Sequence, residues 1–265
     1  MSQVHASSVV DPKAKLGKDV QIGPFCVIGP NVSLGDGCRL HSHVVIEGNT
    51  TLGEECEIFP FASLGHIPQD LKYRGEETRL VIGDRNRIRE YVTMNPGTEG
   101  GGGVTHVGSD CLFMAQAHVA HDCQIGDHVI LANGATLAGH CVVGDHAILG
   151  GLSAVHQFVR IGRHAFIGGM SGVENDVIPF GMVVGPRASL KGLNIVGIKR
   201  SGFERSELKQ LREAYDLLFT GQGTLAERVD KVEQNFPGLG SVRQIVDFVR
   251  SDTSRSLSVP KPDER

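Results

Sequence analysis

An aliphatic residue recurs every six positions along the first two thirds of the chain. From Val10 the step meets Leu16, Ile22, Ile28, Leu34, Leu40, Ile46, Leu52, Ile58 and Leu64 without a miss. After an interruption the same phase returns at Ile82, Ile88 and Met94. A second interruption moves the register by one residue. The period then runs through Val107, Phe113, Val119, Ile125, Leu131, Leu137, Val143, Leu149, Val155, Ile161, Ile167 and Val173. Two residues before the aliphatic sits a small or modest side chain, as at Ala14, Val20, Cys26, Val32 and Cys38, and Gly commonly follows it, as at Gly17, Gly23, Gly126 and Gly144.

A period of six fits neither an amphipathic helix nor an alternating strand. It fits a parallel β-helix, in which each repeat is a short strand and a corner. Three repeats, 18 residues, then close one triangular coil with the aliphatic pointing inward, and Gly is expected to supply unusual backbone angles at the corners. Residues 18 apart lie above one another, so about eight coils give a prism roughly 40 Å long at the ~4.8 Å strand spacing. The period itself gives no hand for the coil.

Residues 66–79 and 95–106 break the repeat and read as loops projecting from the prism, a common place for function on a rigid scaffold. The second, NPGTEGGGGVTH, lacks the ending and context of a phosphate loop. Residues 1–190 form the prism in this reading, and 191–265 a helical domain. There the spacing becomes helical at Leu208, Leu211, Tyr215 and Leu218, at Val229, Val232 and Phe236, and at Val242, Ile245, Val246 and Val249. Gly221, Gly223 and Pro237-Gly238 separate the helices. The last dozen residues read as a frayed tail.

Composition narrows the classes. The 35 Gly with few aromatics argue against a packed helical bundle. A balance of 26 Lys and Arg against 30 Asp and Glu leaves no chain-wide basic footprint for nucleic acid. No apolar run reaches the roughly 20 residues of a membrane span, and the first twenty residues lack a secretory core, so a cytoplasmic protein is expected. Cys26, Cys38, Cys56, Cys111, Cys123 and Cys141 all occupy the small slot before the aliphatic. They read as core filling, not as disulfides or metal ligands. Locally, Arg187, Lys191, Lys199, Arg200, Arg205, Lys209 and Arg212 face only Glu204 and Glu207, which suits an acidic partner or a phosphate-bearing substrate.

Histidines carry the candidate chemistry. His128, His146 and His164 are spaced by 18 and form a column at one corner, read as a solvated ladder because ligands from three stacked levels hardly converge on one zinc ion. A second corner gathers His118, His121, Asp122, Gly139, His140, His156 and Gln157 on three successive coils. An imidazole can take a proton from a hydroxyl, a carboxylate can orient it, and a backbone N–H can hold an oxyanion. No Ser or Cys nucleophile joins them, which favours direct transfer assisted by a general base over a covalent intermediate. Gly150-Gly151 and Gly168-Gly169, also 18 apart, leave either a shallow trough for an alkyl chain or simply tight corners.

The hexapeptide period resembles that of the hexapeptide acyltransferases, whose coils wind left-handed. Six motifs resemble, in order, the UDP-N-acetylglucosamine acyltransferase family: QDLKY (69–73), GDRNRIRE (83–90), AHVAHDC (117–123), LAGH (137–140), VHQF (155–158) and GLNIVGIKR (192–200). The resemblance implies a left-handed parallel β-helix with a C-terminal α-helical domain. It implies a homotrimer with sites between neighbouring subunits, and no cofactor or metal. The reaction implied moves a 3-hydroxyacyl chain from acyl carrier protein to the 3-position of UDP-N-acetylglucosamine, the first step of lipid A synthesis. By the same resemblance His121 is the general base, Asp122 its orienter, and Gly139 the oxyanion donor. His118 and His140 contact acceptor and phosphates, and Gln69, Asp70 and Lys72 hold the acyl hydroxyl and nearby polar groups. His156, Gln157, Asn194 and Arg200 bind substrate parts, Gly169 leaves room for a long chain, and the basic stretch meets the acidic carrier protein.

The chain departs from enteric members at Asn95-Pro96, where they carry His-Arg, and at Val196 and Ser201, where they carry Glu and Arg. A 3-amino analogue of the sugar therefore stays open as acceptor. So do a metal-dependent lyase of the γ carbonic anhydrase type on the same prism and a non-catalytic scaffold. The sister N-acyltransferase carries an N-terminal uridine-binding domain, for which repeats beginning at Val10 leave no room.

Overall fold

The computed structural model describes residues 2–251 and 253–261. Among the described residues short parallel strands, most of two residues, stack into three sheets of eleven, nine and eight strands that form the faces of a prism. Gln21 pairs with Arg39 on the first face, Val9 with Val27 on the second and Lys15 with Ser33 on the third, each 18 residues on. The two interruptions lengthen one coil each without breaking the ladder: Ser63 pairs with Thr93, and Thr93 with His118. Both interruptions end sooner than the sequence suggested, since Arg79–Ile82 and Val104–Val107 are already paired strands.

The repeat aliphatics fill the prism, with Ile46, Ile58, Leu64, Met94, Val119 and Leu137 fully buried. The six cysteines are buried and free. Their thiols lean on a carbonyl of the next coil, Cys38 on Gly53 at 3.1 Å and Cys141 on His156 at 3.2 Å, so the slot selects a small side chain that is also a weak donor.

Glycine follows the aliphatic for a reason other than backbone angle. A Cβ on Gly35 would lie 2.5 Å from the carbonyl carbon of Gly53 on the next coil, so coil stacking excludes the side chain. The left-handed corner residue instead falls three positions after the aliphatic and is mostly not glycine: Phe25 (φ 59°), Asp122 (φ 61°), His140 (φ 62°) and His164 (φ 55°).

After Val173 an antiparallel pair, Gly181–Val184 with Ser189–Leu193, leads out of the prism. Among the described residues four helices follow: α1 (Ile195–Arg200), α2 (Arg205–Thr220), α3 (Leu225–Asn235) and α4 (Gly240–Arg250). The last three bury the anticipated apolar positions. The short α1 was not anticipated, and Asn194 caps it by accepting from the Gly197 N–H at 3.0 Å. The tail is not frayed over 253–259. Buried Asp176 accepts from Arg160 Nε at 2.8 Å and Thr253 Oγ1 at 2.9 Å, and its backbone bonds Ser256 and Ser258. The remainder of that tail, 262–265, lies outside the described residues.

The histidine column stacks face to face, with centroids 4.6 Å apart from His128 to His146 and from His146 to His164. It continues onto Phe180, and Phe203 closes it edge-on. His128 is exposed but His164 is buried, so the ladder is solvated at one end only. Parallel rings on successive coils keep the nitrogens from converging on one ion. Burial, with the nearby His146 and Arg163, pushes the His164 imidazole down to about 4. The unfolded chain, near 6.5 at this residue, binds the proton more readily. Stability from His164 is therefore complete above pH 6.5 and is lost as pH falls toward 4, amounting to roughly 3 kcal/mol at ~1.4 kcal/mol per unit. Urea unfolding at pH 7 and pH 5 should show about 2 kcal/mol of this loss in the wild type and a fall smaller by that amount in His164→Phe. Equal losses in the two proteins would contradict the assignment.

Candidate active site

Leu64, Met94, Val119, Leu137 and Val155 form one inward column on the second face. Whatever follows each of them turns the same corner of the prism. Both interruptions therefore leave from the corner that carries residues 120–123, 138–141 and 156–159. Asn95 joins the loops through its amide, donating to the His66 and Ile67 carbonyls at 3.1 and 3.3 Å.

At this corner His121 and Asp122 are both buried. His121 Nδ1 lies 2.8 Å from Asp122 Oδ2. A carboxylate accepts, so Nδ1 carries the proton and Nε2 is left with a free lone pair. Asp122 is held in turn by the second loop: the Thr98 N–H donates to Oδ1 at 2.8 Å and the Thr98 hydroxyl to Oδ2 at 2.6 Å. The Asp122 N–H donates to Thr105 Oγ1 at 2.7 Å. A buried carboxylate needs such donors to offset lost hydration.

Glycines make this enclosure possible. A Cβ on Gly101 would lie 2.0 to 2.3 Å from all three carboxyl atoms of Asp122, and one on Gly97 would meet the Gly103 and Val104 backbone. The glycine-rich run is thus a wrapping for Asp122. A Cβ on Gly139 would strike the His121 ring at 2.5 Å from Cε1 and 2.7 Å from Nε2. Among the described residues the Gly139 N–H donates to no backbone carbonyl.

His118 and His140 flank the pair. His118 Nδ1 meets the Thr93 hydroxyl at 2.7 Å, and burial, then the neighbouring His121, lowers its pKa. His140 sits edge-on to His121 at 5.0 Å and stacks on Phe158 at 4.4 Å. Burial lowers its pKa too, while Asp122 and Asp70 oppose the shift and His121 and Lys72 add to it. Asp70 and Lys72 thus lie within electrostatic reach of the corner, on the same loop as exposed Gln69. His156 and Gln157 are exposed on the coil below.

Two predicted groups are not gathered here. Gly151 and Gly169 lie at the corner between the first and second faces. Gly150 and Gly168 there are demanded by stacking, with Cβ contacts of 2.5 Å to Gly169 N and 2.7 Å to Val184 Cγ1. A Cβ on Gly151 or Gly169 would be less crowded, though still tight, with nearest contacts of 3.3 and 3.2 Å. The second face joins this corner to the His121 corner, and its outward residues there are Thr136, Ala154 and Gly172, small enough for an alkyl chain to lie along it. Asn194 and Arg200 lie at the third corner, beside His164, in a cleft of about 430 Å³ that also includes Val196 and Ser201. Asn194 is partly engaged locally, since one N–H of its amide donates to the His164 carbonyl at 3.0 Å. Within one chain the third face separates this cleft from His121.

Sequence reasoning missed Thr93, Thr98, Thr105, Gly97, Gly101 and Phe158. A signal existed: Leu64 and Met94 share the column of Val119, so the loops after them share its corner.

Among the described residues one group of donors is close enough for a metal, His121, Asp122 and His140, with ligand atoms within 4.8 Å of one another. The oxygens of Asp122 already accept from Thr98 and His121, and an ion would have to displace those bonds. The donor set fits a hydrogen-bonded dyad better than a metal centre.

Known families match both the prism and the C-terminal part of the chain. Residues 176–258 match the family described as UDP N-acetylglucosamine O-acyltransferase, domain 2, and residues 13–48 and 105–139 match the bacterial transferase hexapeptide family. The acyl-(acyl-carrier-protein)–UDP-N-acetylglucosamine O-acyltransferase of Paracoccus denitrificans is 58% identical over 205 residues, 77% of each chain. That of Azorhizobium caulinodans is 52% identical over 259 residues, 96% of each chain. The structure of LpxA from Acinetobacter baumannii superimposes with a TM-score of 0.93 at 42% identity, covering 96% of this chain and 98% of that one. The prism shares their left-handed coil.

The wrapping of Asp122 is open to a paired test. Gly101→Ala should lower the melting temperature by several degrees, about 2 kcal/mol or more for an overpacked buried site. Gly100→Ala, where a Cβ meets nothing within 4 Å, should leave it unchanged. Equal midpoints would place the loop away from Asp122.

Proposed function

The chain belongs to the UDP-N-acetylglucosamine O-acyltransferase family, and from that membership we propose that it transfers a 3-hydroxyacyl chain from acyl carrier protein to the 3-hydroxyl of UDP-N-acetylglucosamine, opening lipid A synthesis. The observation that carries the mechanism is the His121–Asp122 pair, with its bare Nε2 against Gly139.

In the reaction, His121 Nε2 removes the proton of the sugar 3-hydroxyl as its oxygen attacks the thioester carbon. The Asp122 carboxylate steadies the imidazolium that forms. The Gly139 N–H receives the negative charge on the former carbonyl oxygen. The C–S bond then breaks, and His121 returns its proton to the leaving thiolate of the carrier, restoring the neutral ring. His118 and His140, kept neutral by burial, serve as hydrogen-bonding groups beside the base without competing with it for the proton.

The exposed cations Lys199, Arg200, Arg205, Lys209 and Arg212 lie on α1 and α2. They offer the acidic carrier protein an approach. Gly169, opening onto the second face, receives the acyl chain. The nucleotide is held by Asn194 and Arg200 of a neighbouring copy in a homotrimer, because those residues lie across the third face from His121 within one chain. The site of action in this reading is the cytoplasm, and among the described residues no helix is long and apolar enough to cross a membrane.

Mass spectrometry of product formed from 3-hydroxymyristoyl carrier protein and UDP-N-acetylglucosamine should show acylated nucleotide with wild-type protein. His121→Ala should lose about a hundredfold or more in rate, the usual worth of a general base. A folded but inactive wild type would reject this donor–acceptor pair and turn attention to the 3-amino sugar. The shared site has its own test. His121→Ala and Arg200→Ala chains, each nearly inactive, should recover about a quarter of wild-type rate when unfolded together and reassembled, because a random site draws one intact residue from each of two subunits. No recovery would confine the site to one chain.

A further inference from the structure

The C-terminal strap reaches back to the His121 corner, and the contact it makes there bears on how His156 works. Asp176, fully buried, anchors the strap through Thr253 and through backbone bonds to Ser256 and Ser258. Arg255 projects from it, its N–H held by Thr253 Oγ1 at 3.1 Å. Arg255 Nη2 lies 2.6 Å from His156 Nδ1, and Arg255 Nε lies 3.0 Å from the Gln157 carbonyl.

A guanidinium carries donors only and stays charged. At 2.6 Å, His156 Nδ1 must therefore present a lone pair, which places the proton of the neutral ring on Nε2. The other arrangement would have Nδ1–H donate to the Gln157 carbonyl, but that contact is 3.4 Å long, and the carbonyl already accepts from Arg255. We propose that Arg255 is a positioning residue that holds His156 as the Nε2–H tautomer, so that His156 donates a hydrogen bond to an acceptor oxygen of the sugar nucleotide. The assignment of that oxygen rests on the acyltransferase reading; the tautomer does not.

His121 is set the opposite way, with Nδ1–H toward Asp122 and Nε2 bare. One corner thus holds two imidazoles in opposite tautomers, a base fixed by a carboxylate and a donor fixed by a guanidinium. Nothing in the repeat pattern would tie a residue after the last helix to the corner, since the link runs through Asp176.

The test is two-bond proton–nitrogen NMR on protein labelled at histidine, with the His156 signal assigned by its loss in His156→Asn. The expected wild-type result is a proton on Nε2. In Arg255→Met, a substantial Nδ1–H population should appear, and Arg255→Lys should restore the Nε2–H form in part. In the transfer assay, Arg255→Met should raise KM for UDP-N-acetylglucosamine about tenfold, the worth of one hydrogen bond to a charged or polar substrate group, while kcat changes less than about threefold. A wild-type Nδ1–H form, or a tautomer indifferent to Arg255→Met in a folded protein, would overturn the proposal. Should Arg255→Met not fold, Thr253→Val, which loosens the strap and leaves the guanidinium in place, should give an intermediate shift. No shift there would count against the proposal. If the wild type forms no product, the acyltransferase reading fails, while the NMR result still decides the role of Arg255.

Discussion

The parallel hydrogen-bond ladder between successive coils is the constraint on which the rest of the structure depends. It fixes residues 18 apart at one strand spacing, so every corner becomes a vertical file of side chains. Where glycine follows the inward aliphatic, as at Gly35 and Gly126, stacking that tight leaves no room for a Cβ, and there this, not backbone angle, explains the glycine. The same closeness brings Gly139 against the face of the His121 ring. A proton acceptor and a backbone donor become neighbours because their coils are neighbours, with no special loop needed to bring them together.

What the ladder cannot supply is a shell for a buried carboxylate, and here the two interruptions matter. They depart from the corner that holds Asp122, and the second folds over it with two donors from Thr98. The protein thereby keeps a charged group out of water beside an imidazole whose tautomer it sets. The C-terminal strap does the reverse for His156 with Arg255. Scaffold, loop and tail each contribute one element, and the buried Asp176 makes the last contribution possible by tying the tail to the prism.

Much of this was legible in the residues. The period of six gave strands, faces and the 18-residue register, and adding 18 to His121 and Asp122 led directly to Gly139 and His140. The family resemblance supplied the hand of the coil, which no periodicity encodes. Other features were hidden for physical reasons. A run of glycines looks the same whether it waves in solvent or wraps a carboxylate, because the reason for each glycine lies in a distant side chain. The helix α1 is too short to show a period. The tail reads as polar and loose, and its order comes from Asp176, nearly eighty residues earlier in the chain. The histidine column was visible as spacing, yet its gradient from exposed His128 to buried His164 depends on packing against Phe180 and Phe203.

The most direct test of the account is a crystal structure of the protein with its acylated sugar nucleotide bound. General-base transfer by His121 places the ester oxygen on the sugar 3-position about 3 Å from His121 Nε2, and the ester carbonyl oxygen against the Gly139 N–H. Density that seats the ester at the His164 corner, or beyond reach of His121 Nε2, would contradict it.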